Sequence, residues 1–249
     1  MTDLHILYQD DDFIVIDKPS GLLVHRSEID RRETRFALQL LRDQIGQRVY
    51  PVHRLDKPTS GVLVFALHSE ASSLLQQSFM ERRVDKEYFA IVRGYAPEQD
   101  VIDYALSDKR EKEEKRRKTD IRPPQEAVSR FQRLATVELP IAVGKFPQSR
   151  YSLVRVNPET GRKHQIRRHF HTIAHPIIGD TRYGEGRHNR LFRDNFDSHR
   201  LLLWSAAIRF IHPYSGELTK IETTVPSEVL PLFEAFNWPV CLPTMESPV

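Results

Sequence analysis

Val52-His53-Arg54-Leu55-Asp56-Lys57-Pro58-Thr59-Ser60-Gly61-Val62-Leu63-Val64-Phe65-Ala66 places a polar loop directly ahead of an apolar run. The run from Val62 to Ala66 is short and rich in β-branched and aromatic residues, which predicts a buried strand. Pro58 and Gly61 predict a turn before it. Asp56 then lies on a loop held by a rigid element, between the cations Arg54 and Lys57. A carboxylate so placed stays ionised at pH 7 and can act as nucleophile or base. The same residues also describe a turn-forming Asp in a surface ion pair, so the loop needs partners elsewhere in the chain to carry chemistry.

Outward from this loop, further strands are expected at Phe13 to Ile16, Tyr88 to Val92, Tyr151 to Val156, Leu201 to Trp204 and Ala206 to Ile211. Helices are expected at Thr34 to Ile45, Ser69 to Arg82 and Thr160 to Ala174. Strands outnumber helices and do not alternate regularly with them. The expected class is α+β, with a mixed, mainly antiparallel sheet and flanking helices rather than a doubly wound parallel one.

The chain has 249 residues, enough for one large domain with a real core. It has no apolar run near the ~20 residues needed to cross a bilayer and no signal-like start, so a cytoplasmic protein is expected. One cysteine, Cys241, excludes an intramolecular disulfide and a Cys-rich zinc site. No phosphate-binding loop occurs, and Gly184-Glu185-Gly186 lacks the third glycine and the preceding strand of a dinucleotide fingerprint, so no nucleotide cofactor is expected. His171 and His175 are followed at once by Pro176, where a helix should have ended, and no metal is expected.

The net charge of +3 conceals an asymmetry. From Arg150 to Arg200 eleven Lys and Arg face five acids, and six of the eleven His fall there. From Gly216 to Val249 five Glu face Lys220 alone. A basic stretch of this kind suits an anionic partner. Asp108 to Lys118 has seven basic and four acidic residues with no apolar one, which marks a solvated insertion over about 107–125. The tail over about 226–249 contains Phe233, Phe236 and Trp238 and is expected to pack on the domain.

Two other segments could complete the Asp56 loop. In Thr160-Gly161-Arg162-Lys163-His164-Gln165-Ile166-Arg167-Arg168-His169-Phe170, read as a helix from Gly161, Ile166, Phe170 and Ile173 form a core stripe with His164, Arg168 and His171 opposite. Arg167 falls at the border of the stripe, half desolvated and in need of a carboxylate or phosphate. The helix start, with Arg162 and Lys163, could receive phosphates. In Lys86-Glu87-Tyr88-Phe89-Ala90, strand alternation puts Lys86, Tyr88 and Ala90 on one face and Glu87 and Phe89 on the other. Tyr88 offers a ring for stacking a base and a hydroxyl of pKa near 10, although a strand Tyr is also ordinary packing.

Together these segments resemble the RluA-type family of pseudouridine synthases. The matching residues are His53-Arg54-Leu55-Asp56 with Thr59-Ser60-Gly61, Lys86 with Tyr88, Gly161-Arg162 with His164-Gln165-Ile166-Arg167 and His169, and Gly179-Asp180 with Tyr183-Gly184. Ile6-Leu7-Tyr8 and Lys18-Pro19-Ser20-Gly21 fit the same family, and the likeness runs in order over about residues 5–226. Glu138-Leu139-Pro140, Gly144, Pro147, Arg150-Tyr151-Ser152-Leu153 and Leu23-Val24-His25-Arg26-Ser27 resemble the branch that modifies tRNA at uridine 65. One departure is Trp204, where the family usually has His; altered packing rather than lost activity is expected. The residues before the first motif leave no room for the S4 RNA-binding domain of some relatives, so RNA affinity should rest on a single catalytic domain, expected to be monomeric.

The resemblance implies a pseudouridine synthase fold with an active-site cleft. It implies that Asp56 starts the isomerisation, by attack on base or sugar or by taking the 2′ proton. It also implies that Arg167 pairs with Asp56 and keeps it ionised, and that Tyr88 stacks on the flipped uracil and shuttles the C5 proton. Arg54 would fill the vacated stack, and His53, Arg162, Lys163 and Arg168 would contact RNA. No cofactor is implied. The competing readings are the same reaction on ribosomal RNA and a non-catalytic RNA-binding protein of the same fold.

Overall fold

The structure, a computed structural model, describes residues 3–25, 33–107 and 123–240. Arg26, Ser27, the charged run Asp108 to Lys118 and Cys241 lie outside them.

In chain order the strands are β1 (His5–Gln9), β2 (Phe13–Lys18), β3 (Tyr50–Pro51), β4 (Ser60–Ala66), β5 (Asp85–Arg93), β6 (Gln99–Asp103), β7 (Val128–Leu139), β8 (Ser149–Pro158), β9 (Leu203–Ile211) and β10 (Leu218–Glu222). They form one sheet in the order β1-β2-β4-β9-β5-β8-β7-β6, with β3 beside β4 and β10 beside β9. Every pairing is antiparallel except β4 with β9. The helices are α1 (Ala37–Ile45), α2 (Ser69–Met80), α3 (Gln165–Thr172), α4 (Gly186–Phe196) and α5 (Leu230–Ala235).

Helices cover both faces, and the strands show it by alternation. On one face Leu63, Phe65, Tyr88, Ala90, Val154 and Leu203 join α1 and α3 through Leu41, Ile166 and Phe170. On the other, Phe89, Ile91, Tyr151 and Trp204 meet α4 and α5 through Phe192 and Phe233. Val62, Val64 and Phe210 on that same side pack against Leu75 of α2. Trp204 is fully buried, 5.7 Å from Phe89 and 6.3 Å from Phe233, on the face away from Leu203. The tail packs as expected as far as residue 240: Phe233, Phe236 and Trp238 are buried, and Trp238 Nε1 donates to the Thr136 carbonyl at 3.1 Å.

The parallel contact between β4 and β9 joins the two halves of the sheet, and Gly61 permits it. With φ +105°, Gly61 pairs with Ser205, and a Cβ there would lie 2.0 Å from the Ser205 carbonyl oxygen. Gly61 is thus a strand residue at a close approach rather than part of the turn. The turn lies one step earlier, closed by the Thr59 N–H donating to the Asp56 carbonyl at 3.0 Å. Because β4 and β9 run in the same direction, the loop carrying Asp56 and the start of β9 at Leu203 emerge on one edge. Leu201 to Ile211, expected as two strands, yields one from Leu203, because polar Ser205 interrupts the apolar run without interrupting the ladder.

Candidate active site

A cleft of about 550 Å³ opens above the β4, β9 and β5 junction. Asp56, Tyr88, Arg167, His164 and Leu203 line it, together with Arg54, Phe79, Met80, Arg82 and Arg162. The loop, strand and helix singled out in the sequence therefore converge.

Arg167 is the centre of the arrangement. It is 5% exposed, more buried than its place at the border of the helical stripe suggests. Its Nε and Nη2 donate to both carboxylate oxygens of Asp180 at 2.7 and 2.9 Å, and Nη1 donates to Asp56 Oδ2 at 3.1 Å. The planar guanidinium spans two carboxylates that a lysine could not hold in one fixed geometry. Its plane also lies over the Tyr183 ring, 5.3 Å from the centroid. Asp180 is held below its ordinary value, against the opposing push of burial, by Arg167 and by the N–H groups of Tyr183 and Arg182. Gly179 brings Asp180 there: its φ is +80°, and a Cβ would sit 1.8 Å from the Arg200 carbonyl oxygen.

This geometry leaves Asp56 with one oxygen on Arg167 and the other, Oδ1, 3.8 Å from the His164 ring. His164 contradicts the helical wheel. α3 starts at Gln165 rather than near Gly161, and His164 adopts φ +55°, which turns its ring into the cleft instead of away from it. Its Nδ1 lies 3.0 Å from the Tyr183 hydroxyl, and burial pulls its pKa down to about 4 against the attraction of Asp56, so the ring is neutral at pH 7. The segment from Gly161 is looped because Gln165 reaches back: its Oε1 accepts from the Arg162 N–H at 2.9 Å and from Thr160 at 2.7 Å. The Arg162 amide is therefore already engaged, and the helix start lies further along than expected.

Tyr88 and Lys86 share the cleft face of β5, as alternation required. Burial pushes the Tyr88 phenol up to about 12 rather than 10. The side chain of Ser205, its strand partner, pulls it the other way. His53 lines the cleft, its Nε2 accepting from the Val64 N–H at 3.1 Å while its ring stacks on Phe79 at 4.9 Å. Arg54 is exposed at the mouth. Arg162 lines the wall with its Nε donating to the Glu126 carbonyl at 3.0 Å, and Lys163 lies beside it. Arg168 does not line the cleft: one step round α3 from Arg167, it donates to the Ser107 carbonyl at 2.9 Å.

Three residues without an assigned role in the sequence belong to the site. His164 and Asp180 are two. The third is Lys18, fully buried, whose Nζ donates to the carbonyls of Pro19, Leu22 and Lys57 at 2.9, 2.8 and 3.2 Å. It ties the loop after β2 to the residue following Asp56. Burial pulls its ammonium down to about 7, with Asp56 pulling the other way.

The sequence profile of RNA pseudouridylate synthases matches residues 12–172, which contain Asp56, Tyr88 and Arg167. The chain belongs to this family. Within it the synthase is of the RluA type, as its motifs indicated. It is 50% identical to tRNA pseudouridine synthase C of Vibrio parahaemolyticus (serotype O3:K6), over 95% of this chain and 96% of that one. It is 48% identical to tRNA pseudouridine synthase C of Vibrio vulnificus, over 97% and 98% of the two chains. Among solved structures, human RNA Pseudouridylate Synthase Domain Containing 1 superposes with a TM-score of 0.69 and 28% identity, covering 94% of the synthase and 87% of the human chain.

Away from the cleft, beyond the far end of β9, Asp10, Asp12 and His212 bring ligand-type atoms within 4.8 Å of one another. Hydrogen bonds account for this cluster. Asp10 accepts from the Tyr8 hydroxyl at 2.5 Å and from the Asp12 and Phe13 N–H groups at 2.8 and 2.6 Å, and His212 Nε2 lies 3.2 Å from its Oδ2. His68 Nε2 lies 2.8 Å from Asp12. Both rings accept backbone N–H groups at Nδ1, from Ala71 at 3.3 Å and from Ser215 at 3.3 Å. Nε2 of each ring therefore carries the proton and faces a carboxylate.

Proposed function

We propose that this synthase converts a uridine of tRNA to pseudouridine, with position 65 as the target. The observation that carries the reading is a carboxylate, Asp56, held by Arg167 at 3.1 Å on the floor of a cleft with Tyr88 on its wall. Relatives near 50% identity along nearly the whole chain bear the name tRNA pseudouridine synthase C, which supports tRNA over ribosomal RNA.

The reaction breaks the N1–C1′ bond, turns the uracil and joins C5 to C1′; C5 loses a proton and N1 gains one. Water is neither added nor lost, so one activated carboxylate suffices where hydrolysis of a glycosidic bond uses two. Asp56 is the initiating group, with Oδ1 as the oxygen available to the substrate. Arg167 and, behind it, Asp180 fix its orientation. Tyr88 stacks on the flipped uracil. A phenol held near 12 is protonated at neutral pH, so Tyr88 is a proton relay, passing its own proton on as it receives one, rather than a free base.

Base flipping costs a few kcal/mol, and Arg54 at the cleft mouth takes the vacated place in the stack. His53, Arg162 and Lys163 contact the RNA around it. Phosphate contacts of the basic stretch supply salt-dependent affinity. The described fold acts as a single catalytic domain and as a cytoplasmic monomer. The test is to map pseudouridine in total tRNA and ribosomal RNA from cells with and without the gene. Loss of pseudouridine at tRNA position 65 alone is expected; loss at a ribosomal site would overturn the substrate, and no loss anywhere would overturn the activity.

A further inference from the structure

Lys86 lines the cleft, yet none of the roles above uses it. It precedes Tyr88 by two residues on β5, so the two side chains rise from the same face, with Cα atoms about 7 Å apart. Its backbone is fixed by pairing with Ile208 and by Asn157 Nδ2 donating to its carbonyl at 3.2 Å. Its ammonium is not so well provided for. Among the described residues its hydrogen-bond acceptor is the Thr160 carbonyl at 3.4 Å, long for such a bond.

The neighbouring charges are engaged with one another instead. Asp85 turns to the other face of the strand and takes Arg209 at 2.7 Å. Arg82 pairs with both oxygens of Glu126, and Arg162 Nε donates to the Glu126 carbonyl. Lys86 thus sits in a partly desolvated wall with no carboxylate in hydrogen-bond reach among the described residues, and burial pulls the ammonium down to about 8 against the attraction of Asp85. An ammonium kept in such a place gains most when an anion arrives to complete it. Its charge acts on His53, which lines the same cleft. The anionic groups that an RNA brings to this cleft are its backbone phosphates.

We propose that Lys86 anchors an RNA backbone phosphate adjacent to the target uridine while the uracil lies against Tyr88. This rests on the pseudouridine-synthase reading and deepens it: Lys86 is a binding residue that sets where the flipped nucleotide comes to rest. The test compares Lys86→Met, which keeps the aliphatic stem without the charge, and Lys86→Arg, which keeps the charge, in the full chain with unmodified tRNA.

For Lys86→Met, tRNA KM should rise about tenfold, the scale of one charged hydrogen bond, with kcat changing less than threefold. The slope of log binding constant against log salt should become shallower by about 0.7 to 0.9, one phosphate contact. Lys86→Arg should recover most of both. A single methylphosphonate beside the target uridine should weaken binding to wild type and add no further penalty with Lys86→Met. Unchanged KM and salt slope, a loss confined to kcat, or a fully additive methylphosphonate penalty would each overturn the anchor. A melting temperature of Lys86→Met close to wild type checks that the variant is folded, and Lys86→Arg serves the comparison if it is not. A wild type that binds tRNA with the Lys86 dependence but forms no pseudouridine would sink the functional reading and leave the phosphate contact standing.

Discussion

Among the described residues, one cluster of carboxylates and histidines lies in the cleft and another beyond the far end of β9, and they differ in how completely their acceptors are used. Around Asp10 and Asp12, a tyrosine hydroxyl, two backbone N–H groups and two imidazoles close the network. Around Asp56, the guanidinium of Arg167 takes one oxygen and the His164 ring stands 3.8 Å from the other. The first cluster ties the β1 to β2 turn, the start of α2 and the β9 to β10 hairpin together. The second leaves an acceptor facing an open cleft. Composition does not separate them; the availability of one oxygen does.

The sharpest test of this contrast is Asp56→Asn, which should lower pseudouridine formation at least ~10³-fold while tRNA affinity stays within about threefold. Product formation near the wild-type rate, measured on purified tRNA, would remove Asp56 from the chemistry.

Asp180→Asn should be the next largest. It leaves Arg167 buried with only Asp56 to answer it, and breaking a buried pair in this way costs about 3 to 5 kcal/mol. Turnover should fall with it, because Arg167 no longer aims Asp56. The pH dependence has a definite sign. The folded-state pKa of Asp180 is depressed below 3.8, so its contribution is present above that pH and is lost as pH falls through the folded value. The stability gap between wild type and Asp180→Asn, followed by urea unfolding, should therefore narrow in acid below about pH 4.

Lys18→Met should cost about 1 to 3 kcal/mol at pH 7, since three loop carbonyls lose their donor. The folded-state pKa of Lys18 lies near 7 against 10.5, so the unfolded chain holds the extra proton between those values. Wild-type stability relative to Lys18→Met should then rise with pH across that window. A flat difference would show that Lys18 keeps its proton in the folded chain as it does in the unfolded one.

The smallest effects belong to the closed cluster. His212→Gln should cost on the order of 1 kcal/mol through lost hydrogen bonds and leave kcat unchanged. Added Zn²⁺ should leave the melting temperature where it was, because Nε2 of both His68 and His212 carries a proton in the present network. A zinc-dependent rise would make this a metal site and erase the contrast with Asp56.

Much of the cleft was legible in the chain because its parts are local. A loop feeding an apolar strand, a tyrosine two residues from a lysine, and an arginine at the edge of an apolar stripe are all visible within a few residues. The misplaced residues have equally specific causes. His164 leaves the outer face of a helix read from Gly161 because Gln165 claims the Arg162 amide and the Thr160 side chain, so that the helix starts only at Gln165. Arg168, expected to contact RNA, stands outside the cleft lining because its rotation from Arg167 takes it to the Ser107 carbonyl. β7 and α4 escaped notice for a different reason. β7 carries Arg130, Arg133 and Glu138 among its apolar residues, so no clear run appears, and it forms by pairing with β8 and β6. In α4, Arg187, Arg190 and Arg193 outweigh Leu191 and Phe192, and the helix is held by the core those two enter.

The sequence by itself determined the strand-forming runs, which follow from residue type and short-range spacing, and the motifs whose family resemblance singled out Asp56, Tyr88 and Arg167 as candidates. The tertiary structure alone decided that Arg167 answers two carboxylates, that Asp180 stands behind Asp56, and that one oxygen of Asp56 faces the cleft. Those facts depend on a parallel pairing between strands far apart in the chain, made possible where Gly61 meets Ser205. A long-range contact of that kind leaves no periodic signal in the sequence, because its register is set by packing on both faces of the sheet.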